Sequence, residues 1–267
     1  MTTKHTILTE EEFSKYSPNK EIIQYLDDYQ KKNNMKKNDI NVLDWGCGKG
    51  RDVLWLREQG YNAFGVDLDP EPIRNGRHLI RKKGYDDSIL RLIKVDGKTN
   101  FPDDFFHFAF SNHVFEHIND LDSVVAELKR ITVRNGIEYH LYPGYKSIRE
   151  GHLNMPFIHW FPKNRIRKFL IFAFLCCGRE PKWKELENYN KREKTEIYFK
   201  YSINNTFYRK YSKVMRIFEK NNFSVKFKMA IHPKWKKKIL FKVISPFIHH
   251  LLLTFNENKL YATKLYK

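Results

Sequence analysis

The sequence predicts an α/β fold built on a doubly wound, mostly parallel sheet, and three observations lead to it. A short apolar run at 42–45 breaks into three alternating glycines, Gly46, Gly48 and Gly50, which is typical of a buried strand that ends in a tight turn. Strand-like segments then alternate five times with helical ones within about 100 residues. The fourth such segment, 105–110, is apolar almost throughout, as expected of a central parallel strand.

The individual elements follow from local patterns. Thr9 and Glu12 have the spacing of a capping box, and apolar residues at helical spacing up to Tyr29 predict an amphipathic helix before the first strand. Gly60 and Gly84 close the two helices that follow. The predicted strands are 42–45, 61–69, 89–97, 105–110, 137–143, 223–231 and 260–266, and the later predicted helices are 51–59, 72–83, 123–131 and 208–222.

Positive charge is concentrated in the second part of the chain. The net charge is +18; residues 1–150 hold 23 Lys and Arg against 24 Asp and Glu, whereas residues 151–267 hold 26 against 7. Such a field attracts polyanions, so nucleic acid, an anionic membrane surface and phosphorylated substrates are all consistent with it. A solvated lysine-rich surface explains the same charge equally well.

Cysteine content and hydropathy indicate a cytoplasmic protein. Cys47, Cys176 and Cys177 form neither a disulfide framework nor a metal-binding spacing, so we expect no metal. The first residues lack the layout of a signal peptide, and no run reaches about 18 apolar residues. The basic, amphipathic segment 234–256 could lie on an anionic membrane as a peripheral attachment, or pack on the sheet as a helical pair.

The glycine turn predicts a ligand site. Glycines let a ligand approach the backbone, and the start of the next helix offers unpaired N–H groups. A dinucleotide motif would place its third glycine at position 51, which is Arg51, whereas the pattern from Asp44 is D-x-G-x-G-x-G. Asp67 ends the second strand, near the spacing of about 20 residues expected for a carboxylate that accepts hydrogen bonds from ribose hydroxyls. The alternatives are a ligand-free turn and a helix cap.

This arrangement resembles class I S-adenosylmethionine-dependent methyltransferases, in the small-molecule branch typified by ubiquinone-pathway enzymes, which share the Glu116-His117 pair. The resemblance implies a Rossmann-like, seven-stranded sheet with an antiparallel last strand, and S-adenosylmethionine as cofactor. It also implies cofactor contacts at the glycine turn and at the ends of the second, third and fourth strands. These residues are Asp44, Trp45, Gly46, Cys47, Gly48, Gly50, Asp67, Leu68, Asp96, Gly97, Ser111 and Asn112.

Three histidines are candidates for the catalytic base. His113 and His117 follow the fourth strand, and His152 lies in the segment after the fifth, where the acceptor must sit. An imidazole titrates near neutral pH and can take a proton from an acceptor hydroxyl. We expect His152, or failing that His113, to be the base, although any one histidine is more often structural.

The same resemblance divides the chain into three parts. Residues 1–144 form the S-adenosylmethionine-binding core, and 145–203 form a basic, aromatic insertion after strand five on the substrate side. Residues 204–267 add the last helix and strands to the same domain. The insertion resembles that of bacterial methyltransferases associated with surface-glycan synthesis, which carry a similar run of His, Pro and Trp.

The predicted function is methyl transfer to a small-molecule, saccharide-linked or lipid-linked acceptor. An RNA methyltransferase is the first alternative; it is disfavoured because Ser111-Asn112-His113-Val114 replaces the Asn/Asp-Pro-Pro-aromatic tetrapeptide of base-amino methylators. The second is a membrane-peripheral protein that binds the cofactor without catalysis. The acceptor atom and the oligomeric state are not fixed by the sequence.

Overall fold

A computed structural model describes residues 7–229 and 257–265. Its main feature is a seven-stranded sheet with strand order β3-β2-β1-β4-β5-β9-β8, and a two-stranded ribbon, β6-β7, lies apart from it. The strands are β1 (Asn41–Trp45), β2 (Asn62–Asp67), β3 (Leu90–Leu92), β4 (Phe106–Asn112), β5 (Thr132–Tyr142), β6 (Arg149–Glu150), β7 (Met155–Pro156), β8 (Phe223–Met229) and β9 (Asn258–Lys264). The helices are α1 (Glu10–Ser14), α2 (Lys20–Asn33), α3 (Arg51–Glu58), α4 (Pro70–Lys82), α5 (Leu121–Ile131), α6 (Arg165–Cys176), α7 (Lys191–Asn204) and α8 (Tyr211–Lys220).

The sheet is mostly parallel and doubly wound, as predicted. β1 to β5 pair in parallel, and β9 pairs antiparallel with both β5 and β8. Val42 packs with the helices on one face, whereas its neighbour Leu43 packs with α5 on the other. The chain order reverses between β1 and β4, and in sheets of this kind ligands bind outside the carboxyl ends of the strands at such a switch point.

The insertion contains two helices that the sequence pattern did not predict. α6 and α7 pack together around their own apolar cluster, which includes Leu153, Ile171 and Tyr198. The carboxyl end of α7 reaches the switch point of the main sheet. Among the residues that the structure describes, no helix is long and apolar enough to cross a membrane.

Several bounds differ from those predicted. β3 ends at Leu92 instead of continuing to 97. The Ile93 amide makes the last hydrogen bond to β2, at the carbonyl oxygen of Asp67, and the chain then leaves the sheet in a turn. β5 begins at Thr132, directly after α5, instead of at 137. β9 starts two residues before the predicted 260, and the predicted last residues of β8, 230–231, lie outside the described residues. The segment 234–256 lies outside the described residues.

Candidate active site

A cleft of about 460 Å³ opens at the switch point of the sheet. It lies at the carboxyl ends of β1 and β2 and beside the loop that follows β4, and α7 closes it from the insertion side. This volume is within the range of small-molecule sites. The lining residues are Trp45, Gly46, Asp67, Leu68, Asp69, Ile93, His113, Val114, His117, Ile118, Tyr201, Asn204 and Asn205.

The glycine turn has the backbone conformation that its sequence predicts. Gly46 and Gly48 have φ values of +82° and +52°, which residues other than glycine rarely adopt. A Cβ atom on Gly46 would lie 2.4 Å from Cγ2 of Val114, so glycine is also required there by space. At Gly48, in contrast, a Cβ atom would have no neighbour within 4 Å. The turn is therefore packed at Gly46 and open at Gly48.

Asp67 lies in the cleft and holds the glycine turn at the same time. Its Oδ2 accepts a hydrogen bond from the Gly48 amide (2.8 Å), and its Oδ1 accepts one from the Asp69 amide (2.9 Å). Each carboxylate oxygen can accept a second hydrogen bond. The carboxylate can therefore bind a ligand diol without releasing the turn.

Acidic side chains surround the turn. Asp44 is buried, and its pKa is raised well above the ordinary value, first by burial and then by the charges of Asp52 and Asp67. The pKa of Asp52 is also raised by burial, against the lowering effect of its hydrogen bond with Tyr16. Burial likewise raises the pKa of the Cys47 thiol, which keeps it protonated. The repulsion between the Asp44, Asp52 and Asp67 carboxyl groups would be relieved by a ligand with positive charge and increased by the phosphates of a dinucleotide.

The comparison with known families agrees with this geometry. Residues 43–139, which run from β1 to β5, match the family model of a methyltransferase domain. Residues 43–139 are thus a methyltransferase domain, and the sheet has the fold of class I S-adenosylmethionine-dependent methyltransferases. The cofactor of this domain is S-adenosylmethionine, which carries both the positive charge and the ribose diol that the turn and Asp67 suit.

Curated relatives match the methyltransferase domain over part of their length. A probable tocopherol O-methyltransferase of rice is 26% identical over 128 residues, which are 45% of this chain and 35% of that protein. A sterol 4-C-methyltransferase of Caenorhabditis elegans is 27% identical over 97 residues, 36% of this chain and 29% of that protein. The chain thus spans about a third of the length of these relatives.

Solved structures share the fold of the methyltransferase domain. Phosphoethanolamine N-methyltransferase 2 of Haemonchus contortus, in complex with S-adenosyl-L-methionine, has a TM-score of 0.54 at 15% identity and covers 92% of this chain and 52% of its own. An S-adenosylmethionine-dependent methyltransferase of Mesorhizobium loti has a TM-score of 0.51 at 13% identity, with 87% and 95% covered. At sequence identities this low, the similarity to these structures shows only that the fold is shared.

Of the residues predicted to hold the cofactor, several line the methyltransferase cleft and others do not. Trp45, Gly46, Asp67 and Leu68 line it, and Leu68 exposes about half of its side chain there. Asp96 is exposed in the turn after β3, where its Oδ1 accepts a hydrogen bond from the Lys98 amide. Four others are placed as follows: Cys47 and Gly50 are buried in the turn, Gly97 is buried against Val124, and Asn112 is exposed at the end of β4.

Ser111 is buried within a chain of polar groups instead of facing the cleft. Its Oγ lies 2.8 Å from Nδ1 of His140, and Nε2 of His140 lies 3.1 Å from Oε2 of Glu138. The hydroxyl of Thr132 donates to Oε1 of the same carboxylate (2.5 Å). A carboxylate accepts hydrogen bonds, so His140 carries its proton on Nε2 and accepts one from Ser111. The Ser111 hydroxyl is therefore engaged in the interior of the sheet.

His113 lies between two carboxylates. Its Nδ1 is 3.4 Å from Oε1 of Glu116 and its Nε2 is 2.9 Å from Oε1 of Glu257. The nearby carboxylates of Glu116 and Glu257 raise the pKa of His113 to about 10, against the lowering effect of burial. An imidazole that is already protonated at neutral pH cannot take a proton from an acceptor, which argues against His113 as the base.

The other two predicted histidines are in contact with each other. The rings of His117 and His152 have centroids 4.6 Å apart and meet edge to face, and His152 also lies near the ring of Tyr201. Nδ1 of His117 is 2.7 Å from the carbonyl oxygen of Asn205. Burial lowers the pKa of His152, against the raising effect of Glu150. The structure therefore brings the loop after β4 and the insertion together at the cleft.

The sequence did not predict the contribution of α7. Tyr201, Asn204 and Asn205 line the cleft on the side opposite the glycine turn. They lie about 150 residues after the turn and belong to no motif, so only the packing of α6 and α7 reveals them. The sequence motif identifies Glu116 only as the residue before His117, and the burial of its side chain was not predicted either.

Proposed function

We propose that this chain transfers the methyl group of S-adenosylmethionine to a small-molecule acceptor that enters the cleft beside His117 and His152. The observation that carries the proposal is the lining of the cleft, which takes one wall, Gly46 and Asp67, from the ends of β1 and β2 and another, the acceptor wall, from His117 of the loop after β4 and Tyr201 of α7. The first wall suits the cofactor, and the second leaves room for an acceptor. The cofactor, when bound, supplies an electrophilic methyl carbon attached to a sulfonium.

In-line methyl transfer requires mainly that the acceptor atom is positioned opposite the carbon–sulfur bond of the cofactor. The acceptor's lone pair forms the new bond to the methyl carbon, and the carbon–sulfur bond breaks with its electrons going to sulfur. A hydroxyl or amine acceptor also gives up its proton. The role of the cleft is therefore to orient the two partners. The named substrates of relatives are small molecules such as tocopherol, sterols and phosphoethanolamine, which supports an acceptor of this size but fixes no acceptor atom.

The test is incubation of the protein and methyl-labelled cofactor with fractionated host extract. We expect label in a small-molecule or lipid fraction, and we expect Asp67→Ala to lose both cofactor binding and transfer. Asp28→Ala, which changes an exposed carboxylate on α2, is the matched control and should retain both. Label in the RNA fraction would favour the RNA methyltransferase. Cofactor binding without transfer in any fraction would contradict catalysis altogether.

The predicted base can be tested in the same assay. His152 does not line the cleft itself but packs against His117, which does, so His152→Asn removes an imidazole next to the acceptor wall while Gly46 and Asp67 remain in place. If His152 acts on the acceptor, turnover falls and the affinity for the cofactor stays near that of the wild type. Unchanged turnover would remove His152 from the reaction.

We also propose that the acceptor is carried by a saccharide or a lipid at an anionic membrane surface. The charge excess of residues 151–267 and the aromatic character of the insertion support this proposal. Sedimentation with anionic vesicles tests it, and salt should weaken the binding because surface charges are screened. Equal sedimentation with neutral vesicles, or no change after replacement of 234–256 by a Gly/Ser linker, would count against it.

A further inference from the structure

Three potential metal ligands converge at the acceptor wall of the cleft. Glu116 and His117 come from the loop after β4, and His152 comes from the insertion. One ligand atom from each residue can be chosen so that the three atoms lie within 4.8 Å of one another. The wall is therefore built by two parts of the chain whose side chains point to a common position.

Glu116 has a carboxylate that the described residues leave unsatisfied. Only 3% of the residue is exposed, and neither carboxylate oxygen has a hydrogen-bond partner. The nearest cationic group is His113, whose Nδ1 is 3.4 Å from Oε1. This long ion pair compensates the buried carboxylate only in part, and a bound cation is the usual further compensation. This side chain is an observation independent of the clustering.

His117 is oriented as metal ligands are. The carbonyl oxygen of Asn205 can only accept, so the 2.7 Å contact places the proton of His117 on Nδ1 and leaves the lone pair on Nε2. Ligating histidines commonly donate their other ring N–H to a backbone carbonyl, which fixes the ring. Arg209 further holds the loop by donating to the carbonyl oxygens of Phe115 and Ile118.

We propose that Glu116, His117 and His152 bind a divalent first-row transition-metal ion. Two imidazoles and one carboxylate are the ligand set of catalytic zinc sites and of non-haem iron sites, which keep coordination positions open. Magnesium and calcium prefer oxygen ligands alone, so this set disfavours them. His117 also lines the cleft, which leaves the open positions accessible to the acceptor.

The inferred role of the ion rests on the proposed function. An acceptor hydroxyl that binds to an open position becomes more acidic and loses its proton to solvent water. Its oxygen then forms the bond to the methyl carbon, while the carbon–sulfur bond breaks towards sulfur. His152 serves in this scheme as a ligand and does not take the proton.

The first experiment measures metal binding alone. Full-length protein is freed of metal with a chelator and titrated with Co²⁺, whose visible absorption reports ligand number, and with Zn²⁺ by calorimetry. We expect one ion per chain and a higher melting temperature in its presence. Glu116→Gln, His117→Asn and His152→Asn should each weaken binding by at least about 100-fold, in line with the loss of a ligand. Exposed His78→Asn and Glu185→Gln are the matched controls and should bind as the wild type does.

Folding and function are separated by two further readouts. Binding of S-adenosylmethionine at the glycine turn reports whether each variant is folded, and it should persist in all three ligand variants. Equal metal binding by variants and wild type, or no binding by folded wild-type protein, would overturn the site. Metal binding that depends on the three ligands, with no methyl transfer in any fraction, would leave the site standing and remove the proposed function. Methyl transfer that is unchanged by chelation would overturn the catalytic role of the ion.

Discussion

Gly48 is the residue at which the glycine turn leaves room for a ligand. Its φ of +52° makes any side chain strained, but no atom of the described chain would oppose a Cβ. Gly84, at the end of α4, has the same two properties with φ of +80° and does not line the cleft. We predict that Gly48→Ala and Gly84→Ala each lose about 1 kcal/mol of folding stability through the left-handed backbone.

Only Gly48→Ala should weaken cofactor binding, by about tenfold or more, because its methyl group takes space that the ligand needs. Calorimetry with S-adenosylmethionine and thermal unfolding of both variants make the comparison. Equal affinities for the two variants would show that the cofactor does not approach the backbone at Gly48.

Ser111 permits a prediction that separates structure from ligand binding. The Ser111→Ala variant leaves a buried nitrogen of His140 without its partner, so we expect a loss of about 1–2 kcal/mol in the free energy of unfolding. The cofactor affinity should stay within about twofold, because the hydroxyl faces the interior. Ser224→Ala, an exposed serine on β8, is the control and should be nearly neutral in both measurements. A large loss of cofactor affinity at wild-type stability would restore Ser111 to the cofactor site.

The sequence could predict which residues line the cleft where their place at the end of a strand is enough to put them there. Gly46 and Asp67 follow directly from β1 and β2, and both line the cleft. Asp96 and Ser111 were assigned by the same rule and lie elsewhere. β3 ends early, so Asp96 stands in an exposed turn, and Ser111 is engaged by His140 from the neighbouring strand, a contact that no local pattern contains.

One arginine makes several of the hydrogen bonds that hold the loop between β4 and α5. Arg209 precedes α8 and donates to the carbonyl oxygens of Phe115, Phe207, Ile118 and Asn119. Its planar fork can serve all four acceptors, whereas a lysine ammonium cannot reach them in the same geometry. Because this loop carries Glu116 and His117, the arginine positions the acceptor wall.

We predict that Arg209→Lys lowers the free energy of unfolding by about 2 kcal/mol, from hydrogen bonds that are lost or left unsatisfied. It should also reduce turnover more than cofactor affinity, since the glycine turn lies on the other wall. Arg216→Lys, on the exposed face of α8, should change neither. Denaturant unfolding and steady-state kinetics measure the two effects, and a normal turnover in Arg209→Lys would contradict the positioning role.

At the scale of elements, prediction succeeded for the core and failed for the insertion. From β1 to β5 the apolar residues repeat at the spacing expected of each element, because the helices bury one face against the sheet and the strands lie between two layers of helices. α7 buries Thr195, Tyr198 and Ser202 against α6, so polar and apolar residues mix on its packed side and no helical stripe is visible. The part of the cleft that α7 forms therefore could not be predicted from the sequence.

At the scale of the whole molecule, the last described strand lies inside the sheet, next to its edge strand β8. β9 lies between β5 and β8, so it pairs on both edges. Lys259 on β9 forms an ion pair with Glu21 of α2 (2.7 Å), and Lys264 forms one with Asp104 (2.6 Å). Residues at opposite ends of the sequence are thus in contact, and the sheet forms as one unit.

This arrangement predicts the outcome of truncation. A chain that ends at residue 256 lacks β9, which leaves the edge of β5 unpaired and removes the strand that joins β8 to the sheet. An exposed edge of this length invites association between chains. We expect the shortened protein to aggregate or to lose cooperative unfolding, whereas removal of only residues 266–267 should have no effect. Size-exclusion chromatography and thermal unfolding make the measurement; a monomeric, cooperatively folded 1–256 chain would show that β9 is dispensable to the sheet.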